Sequence, residues 1–444
     1  MKPSLRPGRL GLPAAFFSLL AAVLLSASVA SAQPARFVIT DYGAVNDAKT
    51  LNTAAIQRAI DAAEAAGGGV VVIPAGGKFL SASIFLKQNV ELHVAEGAML
   101  LGSNQITDYP KRETRIEGHF EPWTMALINA QGLTGVRISG KGTIDGNGIL
   151  FWAAFWQRRK ENPACTNLEV ERPRLMFIDR CTDVRIQDVS LVDSGFWNLH
   201  LYRCRNVLVE GVSISAPTTG RILGPSTDGI DIDSSQDVVI RRCKISVNDD
   251  NIALKGSKGP FADKDTDSPP VENILVEDCE FGDGNGVITC GSEATIVRNV
   301  RVRNVVVNGR TNLLTLKLRP DTPQNYSDIV IDGVTVNGTG RILRVEPWLQ
   351  FFDTKGQPPS PSHVKDVTIR NVKGNYRTMG ALRPNEIDTI SNITLENIDL
   401  TLTEETFVLG PVDGFHLKNV TVNGKPYVLP AAIAAAPLPR PAAR

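Results

Sequence analysis

The sequence predicts an all-β chain: a single right-handed parallel β-helix with a short N-terminal capping helix. Three observations lead there. A nonapeptide of alternating apolar positions recurs along most of the chain. A second short strand pattern accompanies it on four consecutive turns. One amphipathic helix stands ahead of the first strand.

The nonapeptide is a small polar residue followed by alternating apolar positions. It reads DVRIQDVSL at 183–191, NVLVEGVSI at 206–214, DVVIRRCKI at 237–245 and NILVEDCEF at 273–281. It returns as NVRVRNVVV at 299–307, DIVIDGVTV at 328–336, DVTIRNVKG at 366–374 and NITLENIDL at 392–400, with a weaker copy, GVRISGKGTI, at 135–144. Start-to-start spacings from Asp183 are 23, 31, 36, 26, 29, 38 and 26 residues. The shortest suits one turn of a solenoid, and the longer ones need loops inserted at a corner. Alternation of this kind signals a strand. One such strand cannot bury its apolar side alone, but stacked copies bury a continuous column and satisfy each backbone. The Asp or Asn that opens most copies suits a tight turn, because its side chain bonds local backbone and it tolerates left-handed geometry. Asn/Asp ladders at these turns are expected. A β-sandwich would not repeat one motif at nine positions.

A solenoid needs a capped end. TAAIQRAIDAAEAA at 53–66 carries Ile56, Ala59, Ile60 and Ala63 at helical spacing. Gly67-Gly68-Gly69 stops it, and VVVIP at 70–74 begins the first coil. The helix is placed over the N-terminal mouth of the column. Helical spacing is nearly absent beyond it.

Lys+Arg and Asp+Glu are both 47, so no global charge field argues for nucleic acid or an acidic membrane surface. Residues 1–32 read as a secretory signal: Lys2, Arg6 and Arg9, an apolar run from Phe16 to Leu25, then Ala30-Ser31-Ala32. Removing it takes three bases and no acids, leaving 44 bases against 47 acids, about −3. The mature protein is then secreted, to periplasm or outside, with no membrane association and as a monomer. Cys181, Cys204, Cys243 and Cys279 sit one per repeat and read as small buried residues, while a disulfide using Cys165 or Cys290 stays open. There is no CxxC pair and little histidine, so no metal or cofactor is expected. The catalytic body is 33–428, and the Ala/Pro-rich segment 429–444 reads as a disordered tail.

The chemistry sits on the second strand pattern: GIDID at 229–233, NIALK at 251–255, GVITC at 286–290 and LLTLK at 313–317. Aligning these puts Asp228 and Asp250 at one position, 22 residues apart, with Asn285 at that position on the next turn and Lys317 closing the set. Stacked like charges raise at least one pKa, which a general acid requires. Glycoside hydrolysis needs two carboxyl roles, one to protonate the leaving oxygen and one to activate water or attack carbon. Lys317 offers a cation suited to a substrate carboxylate. Strict alternation sends Asp249 and Asp250 to opposite faces, so both can act only if the chain bends at Asn248-Asp249.

These residues resemble glycoside hydrolase family 28, the polygalacturonase family, from about Phe37 to at least Phe352. The similar segments are DYGAVNDAKTLNTAAIQRAID at 41–61, FLKQNVELHV at 85–94, GTIDGNG at 142–148 and GFWNLH at 195–200. STDGID at 226–231 matches the family's N-T-D-G-x-D, and NDDNIA at 248–253 matches G-D-D-x-x-A. The resemblance implies inverting single-displacement hydrolysis of a pectic polysaccharide. Asp249 would be the acid, Asp228 and Asp250 would hold and activate water, and Lys317 would contact a uronate. Trp197 and His200 read as packing residues. Two departures bear on substrate. The family's G-H-G is Gly284-Asn285-Gly286 here, and the Arg of its R-I-K falls on Thr315, with Arg319 on the same face as a replacement. Retained hydrolase chemistry on a substrate other than plain polygalacturonan is expected, with rhamnogalacturonan or another branched pectin the guess. The GSE at 291–293 resembles members that trim chain ends, and the insert at 255–270 could wall off one end of the groove. Arg344 and Trp348 are read as cleft-lining or structural. Two other functions fit the same solenoid: a Ca²⁺-dependent pectin lyase, and a glycan-binding β-helix without catalysis.

Overall fold

The computed structural model describes residues 34–438 except Arg221, so the expected leader and the end of the tail lie outside the described residues. The nonapeptides form strands paired in parallel, each on the copy one turn further along. The first inward position runs Val184, Val207, Val238, Ile274, Val300 and Ile329 over successive turns. None of the six is more than 2 % exposed. This column is the core of a parallel β-helix. The opening residues Asp183, Asn206, Asp237, Asn273, Asn299, Asp328, Asp366 and Asn392 all have φ between 53° and 61°. The left-handed turns read from sequence are therefore present, at the residue types that tolerate them. The ladder is present too: Asn273 Nδ2 donates to Asp237 Oδ1 at 2.7 Å, and Asn299 Nδ2 to Asn273 Oδ1 at 2.7 Å.

The second strand pattern builds its own eleven-stranded parallel sheet. Ile230–Asp233, Ile252–Lys255, Ile288–Cys290 and Leu314–Leu318 are consecutive in it. Helix α1 (Thr53–Ala65) buries Ile56, Ala59, Ile60 and Ala63 completely and packs on the first strands, as the stripe required.

Several expectations need correction. A second helix, α2 (Ile149–Glu161), follows Gly148. It buries Phe151, Trp152 and Phe155 but exposes Ile149, Leu150 and Trp156, which blurs its apolar stripe in sequence. A two-stranded antiparallel hairpin, Lys111–Ile116 with His119–Thr124, stands outside the coil stack. All six cysteines are buried free thiols, so the disulfide left open at Cys165 or Cys290 does not form. The described part of the tail is tied down: Ile433 N–H donates to Leu409 O at 2.7 Å and Ala436 N–H to Pro384 O at 2.9 Å. Among the described residues no helix is long and apolar enough to cross a membrane.

Candidate active site

Ile230 pairs with Ile252, which puts Asp228 and Asp250 one rung apart in register. The backbone bends at Asn248 and Asp249, between Lys244–Ser246 and Ile252–Lys255. That bend frees the Asp249-Asp250 doublet from strand alternation. One oxygen from each of Asp228, Asp249 and Asp250 lies within 4.8 Å of the others.

The three acids have different surroundings. Asp250 is fully buried and accepts from Lys317 Nζ at 2.7 Å and Thr289 Oγ1 at 2.8 Å. Asp228 is 3 % exposed, with Lys255 Nζ 3.5 Å from its carboxylate. Asp249 is the partly exposed one, and accepts from Asn285 Nδ2 at 2.9 Å. Burial and then the Asp250 charge raise the Asp249 pKa, against Lys317 and Lys255. Burial, Asp249 and Asp231 push Asp228 well above the ordinary carboxyl range. Behind it, burial holds Asp231 up to about 8 despite Lys255. Both ammonium groups resist burial because carboxylates surround them, Lys255 through Glu293 and Asp228 first, Lys317 through Asp250 first.

Asn285 is not where the sequence put it. Ala253 pairs with Thr289, so Asp249 faces Asn285 and Asp250 faces Gly286. Asn285 therefore stacks on the doublet's first acid, one position from the expected alignment. Val287 and Ile288 are both apolar, and alternation alone permits either register. Lys317 lies at the site. Arg319 borders the cavity but is spent: it forms a two-pronged pair with Asp321 at 2.6 and 2.7 Å and donates to the Gln350 and Phe351 carbonyls. It positions the segment after Trp348 and offers little to a substrate. The residue stacked on Thr315 is Arg344, paired with Glu346 at 2.6 Å. His200 is fully buried between Arg174 and Asp233, as a packing residue, whereas Trp197 borders the cavity.

The acids open into a polar cavity of about 180 Å³. Sequence reasoning missed three groups there: Glu117 and Lys255, and a role for Glu293. Lys255 carried a signal, since NIALK and LLTLK end on the same register position. Glu117 did not, because it comes from the hairpin, far from any repeat. Lys255 Nζ sits 3.4 Å from Glu293 and 4.6 Å from the Trp197 ring centre. Lys317 Nζ sits 4.7 Å from that of Trp348. Three clustered carboxylates could hold a cation, but these two ammonium groups already supply compensating charge there.

The hairpin tip closes one side. Gly118 has φ +81°, and a Cβ there would lie 2.9 Å from Lys258 Cβ and 3.0 Å from Glu293 Cβ. Lys258 belongs to the 255–270 insert, which is tied back by Gly259 N–H to Thr322 Oγ1 at 3.0 Å and by Tyr202 O–H to Asp267 O at 2.8 Å.

Comparison with known proteins agrees with this architecture. The chain is 27% identical over 401 residues to a probable polygalacturonase of Vitis vinifera, covering 87% of this chain and 74% of that one. It is 26% identical over 385 residues to an endo-polygalacturonase of Pectobacterium carotovorum subsp. carotovorum, covering 83% and 87%. An exopolygalacturonase of Thermotoga maritima shares the fold, with TM-score 0.71, 24% identity and coverage of 88% and 94%. An endo-xylogalacturonan hydrolase of Aspergillus tubingensis does likewise, with TM-score 0.67, 16% identity and coverage of 90% and 100%. The family model of glycosyl hydrolases family 28 matches residues 75–421; the chain belongs to that family and is a glycoside hydrolase.

Proposed function

We propose that this enzyme hydrolyses glycosidic bonds of a pectic polysaccharide at the Asp228–Asp249–Asp250 cluster, by single displacement with inversion, and works from a chain end. Family membership supports pectin glycoside hydrolysis. The observation that carries the residue roles is the contrast among the three acids. The pKa values of Asp249 and Asp228 are both raised, but Asp249 is the one partly open to the cavity, where its proton can reach the leaving oxygen. Asp228 and Asp250 are buried, each beside a lysine ammonium, and suit the joint holding of a water. Chain-end action rests on the closed hairpin side and on the small cavity: 180 Å³ is below the ~300–1,000 Å³ of pockets for drug-sized ligands. Export follows from the leader pattern at 1–32.

The test is incubation with defined pectic oligosaccharides, reading reducing ends, ultraviolet absorbance and the anomeric proton of the first product. A saturated product of inverted configuration is expected, with Asp249→Asn slowed ~10²–10⁴-fold. An unsaturated, absorbing product would show a lyase. A retained anomer would refute single displacement, and no cleavage would leave a glycan-binding protein.

A further inference from the structure

The two lysines beside the water-holding acids are placed unequally. Lys317 Nζ donates directly to Asp250 at 2.7 Å. Lys255 Nζ stands 3.5 Å from Asp228, 3.5 Å from Asp231 and 3.4 Å from Glu293, and its hydrogen bond goes to Glu293. All four side chains are buried, and the Trp197 ring centre lies 4.6 Å from the ammonium, so water does little to screen these charges. Among the described residues neither oxygen of Asp231 has a hydrogen-bond partner. Burial holds this acid up to about 8, so at neutral pH it is mostly protonated and takes little of the ammonium's charge. Glu293 differs. It accepts from Ser292 Oγ at 2.6 Å, and against burial Lys255 and then Lys258 hold it below the ordinary carboxyl range. Lys255 is thus one ammonium divided between a standing anion, Glu293, and an acid that titrates, Asp228. Burial, Asp249, Asp231 and Asp250 push Asp228 toward its neutral form, and Lys255 opposes them. Arg172 also feels Asp228, but its guanidinium is bonded to the Pro225 and Asn167 carbonyls. Lys255 acts as well on Glu117, Asp249, Asp250 and Lys317.

An acid can draw a proton from water only as a carboxylate, and a neighbouring ammonium favours that form. We infer that Lys255 and Glu293 are positioning residues for the hydrolysis: Lys255 keeps Asp228 able to take the proton of the attacking water, and Glu293, by claiming part of the same ammonium, sets how strongly it does so. Glu293 acts on Asp228 through Lys255. The inference rests on the water-holding role proposed above for Asp228.

The acidic limb of the kcat/KM profile reads the ionisation of the base in the free enzyme. Lys255→Met removes a cation, so the carboxylate form of Asp228 is favoured less and the limb should move up by about one pH unit. Glu293→Gln removes the competing anion and keeps an acceptor for Ser292, so Lys255 serves Asp228 more fully and the limb should move down. In the Lys255→Met background, adding Glu293→Gln should leave the limb where it is. Two neighbouring residues that merely fill space would not shift one titration in opposite directions. Limbs that stay put, or that move the same way in both single variants, overturn the inference while leaving the hydrolase intact. So does a Glu293→Gln shift of equal size with and without Lys255. If Lys255→Met does not fold, Glu293→Gln decides alone: a downward shift supports the inference, and none or an upward one overturns it. If the parent cleaves nothing, the hydrolytic reading falls, and carbon NMR of protein carrying isotope-labelled aspartate reads the same titrations without turnover. Asp228→Asn identifies the resonance. A midpoint for Asp228 that ignores both substitutions refutes the inference on its own.

Discussion

Asp249 and Lys317 show how two residues far apart in sequence set one titration. Lys317 opposes the rise in the Asp249 pKa, after burial and Asp250 have driven it up. Replacing Lys317 by Met removes a cation that favours the carboxylate. The Asp249 pKa should rise further, so the acid stays protonated to higher pH. The basic limb of the kcat profile should then move up by about one pH unit, the scale of a close charge's effect on a carboxyl. The rate itself should fall, because Asp250 loses its clamp. A pH–rate profile of Lys317→Met checks this, and a limb that stays put or moves down contradicts the assignment of Asp249 as acid. The residues in this pair were legible in sequence because the repeats keep register without help from loops. Asn285 was misplaced by one position because two adjacent apolar residues, Val287 and Ile288, leave the alternation undecided until backbone pairing resolves it. Arg319 was legible by face but not by partner. Asp321, two residues on, takes up its charge.

At the scale of elements, the capping helix and the repeating strands could be read because their apolar spacing is periodic. The parts that finish the cavity could not. The hairpin at Lys111–Thr124 is held by a buried network, not by an apolar pattern: Arg115 pairs with Asp233 at 3.0 Å, and Arg174 bonds the Arg115 carbonyl at 2.7 Å. Such polar anchoring leaves no periodic trace in sequence. The hairpin tip is also where a small change has a local effect. Gly118 sits in left-handed backbone against the Cβ atoms of Lys258 and Glu293, which cannot swing aside as a side-chain end would. Gly118→Ala adds ~1–2 kcal/mol of left-handed strain and forces the tip off the wall. Since the hairpin lies outside the coil stack, the main unfolding transition should barely move. kcat/KM should fall by up to ~10²-fold, the scale of a misplacement of ~1 Å. Equal catalytic efficiency in Gly118→Ala would mean that this wall does not shape the site.

Over the whole molecule, the site depends on coils that hold register, and the outer face shows one means of holding it. At a single column the chain reads Glu210, Arg241, Glu277, Arg303, Asp332, Arg370, Glu396 and Lys418 on eight successive turns. The sign alternates at every step. Arg241 lies 2.6 Å from Glu210, Arg303 2.7 Å from Glu277, and Arg370 2.8 Å from Asp332. Each pair is partly solvated and worth at most ~1 kcal/mol. Their arrangement has more consequence than their sum, because a slip of one residue would move the whole column off its partners. Arg303→Glu would set Glu277, the new acid and Asp332 in a row and turn two attractions into repulsions. A loss of about 1–2 kcal/mol follows from cross-strand pair magnitudes. Because these charges are exposed enough to be screened, most of that loss should vanish at ~1 M salt, where the Debye length is ~3 Å. Thermal unfolding of Arg303→Glu at low and high salt measures both parts. The expected result is a melting temperature below that of the parent at low salt and close to it at high salt. A salt-independent deficit would point instead to lost packing of the arginine stem, and no deficit would mean that the apolar column alone keeps the coils, and with them the three acids, in register.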